Sequence, residues 1–111
     1  MIAYSRGDVV LVLYMYSDES GQKLRPGLIV SSATYHQSRQ DLIAAITSNV
    51  TRRLAGDHVI ADWPAAGLRV PSLVTVVLRT IKRPMIRRRL GALSAADLQA
   101  YDQQLRRSLA L

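Results

Sequence analysis

Eight consecutive apolar residues, Val9-Val-Leu-Val-Leu-Tyr-Met-Tyr16, follow Asp8 with no polar residue among them. An amphipathic helix or a strand wetted on one face would interrupt such a run every second to fourth position. The run is also far below the roughly 18 residues needed to span a membrane as a helix. A central strand buried on both faces is the reading that remains. Such a strand needs hydrogen-bonded neighbours on both sides and apolar cover on both faces. The cover must be mostly Val, Leu, Ile and Ala, since the 111 residues include no Phe and a single Trp. A chain of this length forms one domain, residues 1–111, with a modest core.

The remaining elements follow from local chemistry. Ser17-Asp-Glu-Ser-Gly-Gln22 is all turn formers and predicts a loop. Lys23-Leu-Arg-Pro-Gly-Leu-Ile-Val-Ser31 is the second strand, two basic side chains and a proline leading into an apolar anchor. Ser32–Gln40 is polar, with a possible helical turn over 33–38. Leu42-Ile-Ala-Ala-Ile46 is a third strand that exits into Thr47-Ser-Asn49. Thr51–Gly56 is a basic loop, His58–Ala61 a short fourth strand, and Asp62–Gly67 a turn with Trp63 and Pro64. Leu73–Leu78 is a fifth strand. Arg79–Arg89 holds six basic residues and no acid, and Pro84 splits it, so any helix there is short or begins near Pro84. Ser94 and Asp97 have the spacing of a capping box, with Leu93 and Leu98 as its hydrophobic staple. Leu98, Tyr101, Leu105 and Leu109 then recur at helical spacing and predict a helix from about Ala95 to Leu109, packed on the sheet. Short strands followed by one helix define a mainly β (α+β) fold, a small antiparallel barrel with a C-terminal helix.

The formal net charge is +7, which points to a polyanionic partner, nucleic acid or an acidic protein. The absence of cysteine excludes disulfides, thiolate metal sites and cysteine nucleophiles, and fits a cytoplasmic protein. No signal-peptide pattern or membrane segment is expected. The lone histidines His36 and His58 lack a partner at ligand spacing, so no metal is expected; nothing in the sequence supports pairing them for catalysis.

Arg25, pushed toward extended backbone by Pro26, offers a planar fork of donors to a phosphate. It equally suits a salt bridge with the Asp18–Glu19 loop. Thr47, Ser48 and Asn49 can donate to a phosphate oxygen, or serve only as turn chemistry. Arg52 in the basic loop and Arg79 at the head of the basic run are phosphate contacts or solvated charges. Of the aromatic residues, most suit packing; Tyr16 and Trp63, beside loops, are the candidates for stacking a base.

An ordered set of segments spans nearly the whole chain: Arg6-Gly-Asp-Val-Val-Leu-Val12, Leu24-Arg-Pro-Gly-Leu-Ile-Val-Ser31, Ile46-Thr-Ser48, Gly67-Leu68, Pro71-Ser-Leu-Val74, Arg79-Thr-Ile81 and Leu90-Gly-Ala-Leu-Ser94. Together they resemble the MazF/PemK family of toxin endoribonucleases. The resemblance implies an SH3-like barrel, a homodimer, and an acidic antitoxin as protein partner. It implies sequence-specific, metal-independent cleavage of single-stranded RNA, an mRNA interferase activity in which the 2′-hydroxyl attacks the adjacent phosphate. The family's catalytic arginine and threonine match Arg25 and Thr47, and Ser48 matches a neighbouring site position. Lys23, Asn49, Tyr16, Arg52 and Arg79 join them as expected RNA contacts, with Glu19 as the approximate counterpart of an acidic loop residue. Val74 and Val76 stand where some members carry an arginine and an aspartate, so those roles do not transfer.

Phosphodiester cleavage needs a base for the 2′-hydroxyl, a clamp for the phosphate, and a donor for the leaving oxygen. Arginine suits the clamp and makes a poor base, because a guanidinium holds its proton at neutral pH. Two other classes compete: a toxin of the same fold that poisons DNA gyrase, and a non-catalytic, basic nucleic-acid-binding module. The end of the chain, Ser108-Leu-Ala-Leu111, lacks the tryptophan-containing tail expected of the gyrase class.

Overall fold

The computed structural model describes residues 4–15, 22–32 and 40–111. The strands are β1 (Asp8–Met15), β2 (Gln22–Ile29), β3 (Gln40–Thr47), β4 (His58–Val59), β5 (Leu73–Lys82) and β6 (Ile86–Ala92). A single 3-10 turn, Arg83–Met85, joins β5 to β6, and helix α1 (Ala95–Leu109) closes the order. The strands form one antiparallel sheet in the order β4-β5-β3-β2-β1-β6. The sheet curls into a half-barrel. The possible helical turn over 33–38 lies outside the described residues, as do Tyr16, Asp18, Glu19 and His36.

The apolar run behaves as its composition demands. Val9 points into the core beneath α1, with Leu28, Val30, Ala44, Val74 and Tyr101. Val10, Val12 and Tyr14 point the other way, into a second cluster with Tyr4, Ile29, Ile43 and Ile86. Side chains alternate across a strand, so an unbroken apolar run serves two clusters.

The basic run departs from the expected five strands. β5 continues to Lys82, Pro84 occupies the 3-10 turn, and β6 passes through Gly91 to pair with β1. The strand is hidden in the sequence because β6 is an edge. Arg87, Arg88 and Arg89 are exposed on it, and charge on an edge strand discourages pairing with other chains. The two edges of the half-barrel meet through the loop after β4. Gly67 (φ +78) packs so tightly on β6 that a methyl group there would collide with the Leu90 carbonyl. A methyl on Gly91 would sit 2.6 Å from the Ala66 carbonyl carbon.

Helix α1 starts where its sequence says. Ser94 Oγ accepts a hydrogen bond from the Asp97 N–H at 3.1 Å, but Asp97 does not complete the box by reaching back. Its Oδ1 accepts from the Ala61 N–H at 2.9 Å and lies 2.8 Å from His58 Nε2. Its Oδ2 accepts from the Asp62 N–H at 2.9 Å and from Ser94 Oγ at 3.2 Å. One buried carboxylate thus joins the helix start to β4 and the following turn. Burial opposes its ionisation, yet the hydrogen bonds from Ala61, Asp62, His58 and Ser94 outweigh burial and hold its pKa below the ordinary value. Leu98, Tyr101 and Leu105 pack on the sheet as the stripe predicts, whereas Leu109 is 48% exposed, beyond the sheet's reach.

A bulge interrupts β5. Between the pairs Ala44–Leu78 and Ile46–Val74, three residues of β5 stand opposite one of β3. Thr75 Oγ1 donates to the Ala45 carbonyl at 2.8 Å and accepts from the Val77 N–H at 3.1 Å. The fully buried Tyr101 donates to the Thr75 carbonyl at 2.9 Å. Burial pushes the pKa of this hydroxyl far up, opposed by Arg6 and aided by Asp102, so it stays a donor. Tyr101→Phe therefore strands the Thr75 carbonyl and costs about 1–3 kcal/mol, readable as a lower urea midpoint with an unchanged slope. A loss below about 0.5 kcal/mol would mean that the bulge does not depend on this bond.

Candidate active site

The groove begins where β2 and β3 stop pairing. Their ladder is Ile29–Ile43, Leu28–Ala44 and Gly27–Ala45, and it goes no further. Two residues beyond the last pair stand Arg25 on β2 and Thr47 on β3, at the diverging ends of the two strands. Pro26 falls in this unpaired half of β2, where its missing N–H breaks no bond to β3. The other side of this half of β2 remains paired to β1, with Leu11 opposite Pro26 and Val12 opposite Arg25. A proline is thus part of the reason the two strands separate, and the gap is the site.

The cavity is about 940 Å³. Leu24, Arg25 and Pro26 line it from β2; Ala45, Ile46 and Thr47 from β3; Ser48 and Asn49 from the following loop. Leu68, Arg69 and Val70 come from the loop before β5, Val77 and Arg79 from β5, and Arg88 and Leu90 from β6. Among the described residues, four arginines and no Asp, Glu or His line the groove. Such a wall attracts a polyanion. The three exposed apolar side chains Leu24 (45%), Val70 (49%) and Val77 (56%) also line it, so the groove offers charge and greasy surface together.

The polar groups are locally set. Arg25 is exposed on β2, and its Nη1 donates to the Leu24 carbonyl at 3.0 Å. The rest of its guanidinium fork has no partner among the described residues. The Arg79 guanidinium sits over the Tyr14 ring, 5.6 Å from its centroid, a cation–π stack that orients the charge. Thr47 Oγ1 accepts from the Asn49 N–H at 3.1 Å. With an oxygen lone pair so engaged, the hydroxyl proton is available for donation elsewhere.

The expected site residues therefore divide. Arg25, Thr47, Ser48, Asn49 and Arg79 share one groove. Lys23 is exposed on β2 opposite Tyr14, and Arg52 is exposed in the loop beyond Asn49; neither lines the groove. Tyr16 and Glu19 fall outside the described residues. Trp63 packs against the core beneath α1 and so is not a stacking platform in the groove. His58 is engaged by Asp97, away from the groove lining. Sequence reasoning did not single out Arg69 or Arg88. Arg88 was hidden within the basic run, and Arg69 is a single charge whose one signal is its place between the turn at Gly67 and the start of β5.

Among the described residues no three His, Asp or Glu side chains gather to hold a metal ion. No helix among them is long and apolar enough to cross a membrane. Among curated proteins none matches the sequence. Solved structures do match in fold. An endoribonuclease from a mycobacterial species superposes with a TM-score of 0.78 at 20% identity, covering 100% of this chain and 95% of that one. Another mycobacterial endoribonuclease, in complex with its cognate antitoxin, gives 0.79 at 21% identity over 98% of this chain and 97% of that one. MazF from Deinococcus radiodurans gives 0.78 at 18% identity, with 100% of both chains covered. A family model described as the PemK-like, MazF-like toxin of type II toxin-antitoxin systems matches residues 5–109, and the chain belongs to that family.

Proposed function

We propose that the protein is the toxin of such a system and acts as a sequence-specific, metal-independent endoribonuclease on single-stranded RNA in the cytoplasm. The observation that carries this reading is the groove itself: Arg25 and Thr47, each two residues beyond the last β2–β3 pair, line one cleft with three further arginines. The RNA lies along the groove with its phosphates toward the arginines and its bases against Leu24, Val70 and Val77.

In the reaction the 2′-oxygen forms a bond to phosphorus while the bond from phosphorus to the 5′-oxygen breaks. The products are a 2′,3′-cyclic phosphate and a 5′-hydroxyl. Arg25 donates to the non-bridging oxygens, where negative charge builds in the transition state. Preorganised donors at such a place contribute several kcal/mol. Thr47 keeps its proton and donates a hydrogen bond toward the phosphate, since its own oxygen is held by the Asn49 N–H, while the departing 5′-oxygen takes a proton from water that balances the one the 2′-hydroxyl gives up. Ser48 helps to seat the same phosphate. The 2′-hydroxyl proton needs a base, and among the described residues that line the groove there is no carboxylate or imidazole to supply it. Asp18 and Glu19, which precede β2 in the sequence and lie outside the described residues, are the nearest carboxylates in sequence to Arg25.

The same combination of arginines and exposed aliphatic side chains suits an acidic segment of an antitoxin, which would block RNA by occupying the groove. The active form is proposed to be a homodimer, as the family resemblance implies. Incubation of the purified protein with a long single-stranded RNA in EDTA tests the reading. Discrete cuts ending in cyclic phosphate are expected. A gel shift without cuts would instead assign a binding module, and inhibition of gyrase supercoiling without cuts would assign the other toxin class.

A further inference from the structure

Arg79 stands on β5 opposite Ile43, and Gly27 on β2 opposite Ala45. Paired residues of antiparallel strands share a face, and side chains alternate along each strand. Arg79, Gly27 and Thr47 therefore belong to one face of the sheet. Tyr14 of β1 reaches the same place. A methyl group on Gly27 would lie 3.2 Å from the Tyr14 hydroxyl oxygen and 2.4 Å from Ile43 Cγ2. The tyrosine thus fills space that a side chain on β2 would need. The Arg79 guanidinium lies above its ring, 5.6 Å from the centroid. Tyr14 is 6% exposed and packed in the cluster with Ile43, whereas Arg79 is exposed, so a packed ring supports an exposed charge at the groove.

Arg79 differs from the arginines that tie the fold together. Arg6, Arg83 and Arg89 pair with Asp102, Asp41 and Asp8. Arg79 has no carboxylate partner among the described residues, and its contact there is the aromatic face. A ring face attracts a cation without neutralising it, so the charge and the N–H donors stay available to an anion. An arginine loose in solvent also loses rotamer freedom when it grips a ligand, and one already held against a ring loses less.

We propose that Tyr14 is a positioning residue for RNA binding: its ring, lying over Gly27, holds the Arg79 guanidinium at the groove, where Arg79 binds a phosphate of the RNA backbone. The inference rests on the reading of the groove as an RNA site. The test measures the affinity of the full chain for a single-stranded RNA with 2′-O-methyl sugars throughout, which offers the same phosphates and no attacking hydroxyl. The proteins are the wild type, Arg79→Met, Tyr14→Leu, Tyr14→Phe and the double variant Tyr14→Leu/Arg79→Met, each compared where its urea curve shows it fully folded.

Arg79→Met should lose about tenfold in affinity, the worth of one charged hydrogen bond. It should also flatten the slope of log affinity against log salt by about 0.7, the share of one phosphate on a single strand. Tyr14→Leu should lose about two- to fivefold, the worth of an exposed cation–π contact, and Tyr14→Phe, which keeps the ring, should restore the affinity. The double variant should bind within about twofold of Arg79→Met, because Tyr14 acts through Arg79. A tyrosine that served packing alone would weaken binding by the same factor whether or not Arg79 is present, and losses that multiply in this way would overturn the proposal. So would an Arg79→Met variant with wild-type affinity and salt slope. Either result would leave the cleavage reading standing. A wild type that cuts no unmodified RNA would remove the cleavage reading while these affinities still decided the role of Tyr14, and a wild type that does not bind RNA would overturn both.

Discussion

If the proposed cleavage holds, Arg25→Ala is expected to cleave single-stranded RNA roughly 10²–10³-fold more slowly than the wild type, the range seen when one preorganised donor to a developing oxyanion is removed. Its affinity for an RNA made uncleavable by a 2′-deoxy sugar at the cut site falls much less, by about tenfold or under. The difference arises because three arginines, Arg69, Arg79 and Arg88, still line the groove and sustain the long-range attraction. Only Arg25 among the four comes from β2, two residues beyond its last pair with β3, as Thr47 is on β3. Arg25→Lys retains the charge and loses the fork, so it falls between the two. Rapid-quench cleavage rates beside filter-binding affinities at a fixed salt concentration give both numbers. Cleavage by Arg25→Ala at the wild-type rate would remove Arg25 from the chemistry. Equal losses in rate and affinity would make it a binding residue only.

Asp97→Ala lowers the folding stability by about 3–4 kcal/mol, the largest effect expected outside the groove. Asp97 is 3% exposed and receives hydrogen bonds from two backbone N–H groups, at Ala61 and Asp62, besides its contacts to Ser94 and His58. Truncation leaves these donors without their acceptor, and each buried unsatisfied donor costs on the order of 1–3 kcal/mol. The same carboxylate also gives stability a pH dependence. Its pKa is lower in the folded chain than in the unfolded one, so near the ordinary carboxylate pKa of about 4 the unfolded state binds more protons. The contribution is complete above that range and is lost as pH falls through the lowered folded value. Urea midpoints at neutral pH and along an acid series check both statements. A loss under about 1 kcal/mol, or an acid limb as steep in Asp97→Ala as in the wild type, would contradict them.

Asp97 also illustrates what was legible in the sequence. Its spacing from Ser94 marks the helix start, and α1 begins at Ala95 with Ser94 as its cap. Its carboxylate bonds across the fold to residues 58–62, a tertiary use that no local pattern displays. The two-faced burial of β1 was readable because an apolar run without alternation has few other outcomes. β6 was not, because an edge strand is built from charged residues that also suit a solvated loop or a helical face. Arg25 and Thr47 were legible as candidates through resemblance and local chemistry. That both line one groove depends on where the β2–β3 ladder ends, which only the register reveals. Arg69 stood alone in the sequence and gained meaning only when the turn at Gly67 carried it to the groove.

That turn has a further consequence. At Gly67 and Gly91 the chain meets itself backbone to backbone, with no side chain between. The outline of the groove on this side is therefore set by main-chain atoms. Leu68 still packs against the core, but Arg69 and Val70, exposed immediately afterwards, are free of that structural duty. Substituting them rewrites the chemistry offered to an occupant while the frame that holds it keeps its dimensions. The arrangement separates a fixed mount from an exchangeable surface, so the side chains offered at Arg69 and Val70 can change one residue at a time at little cost to folding.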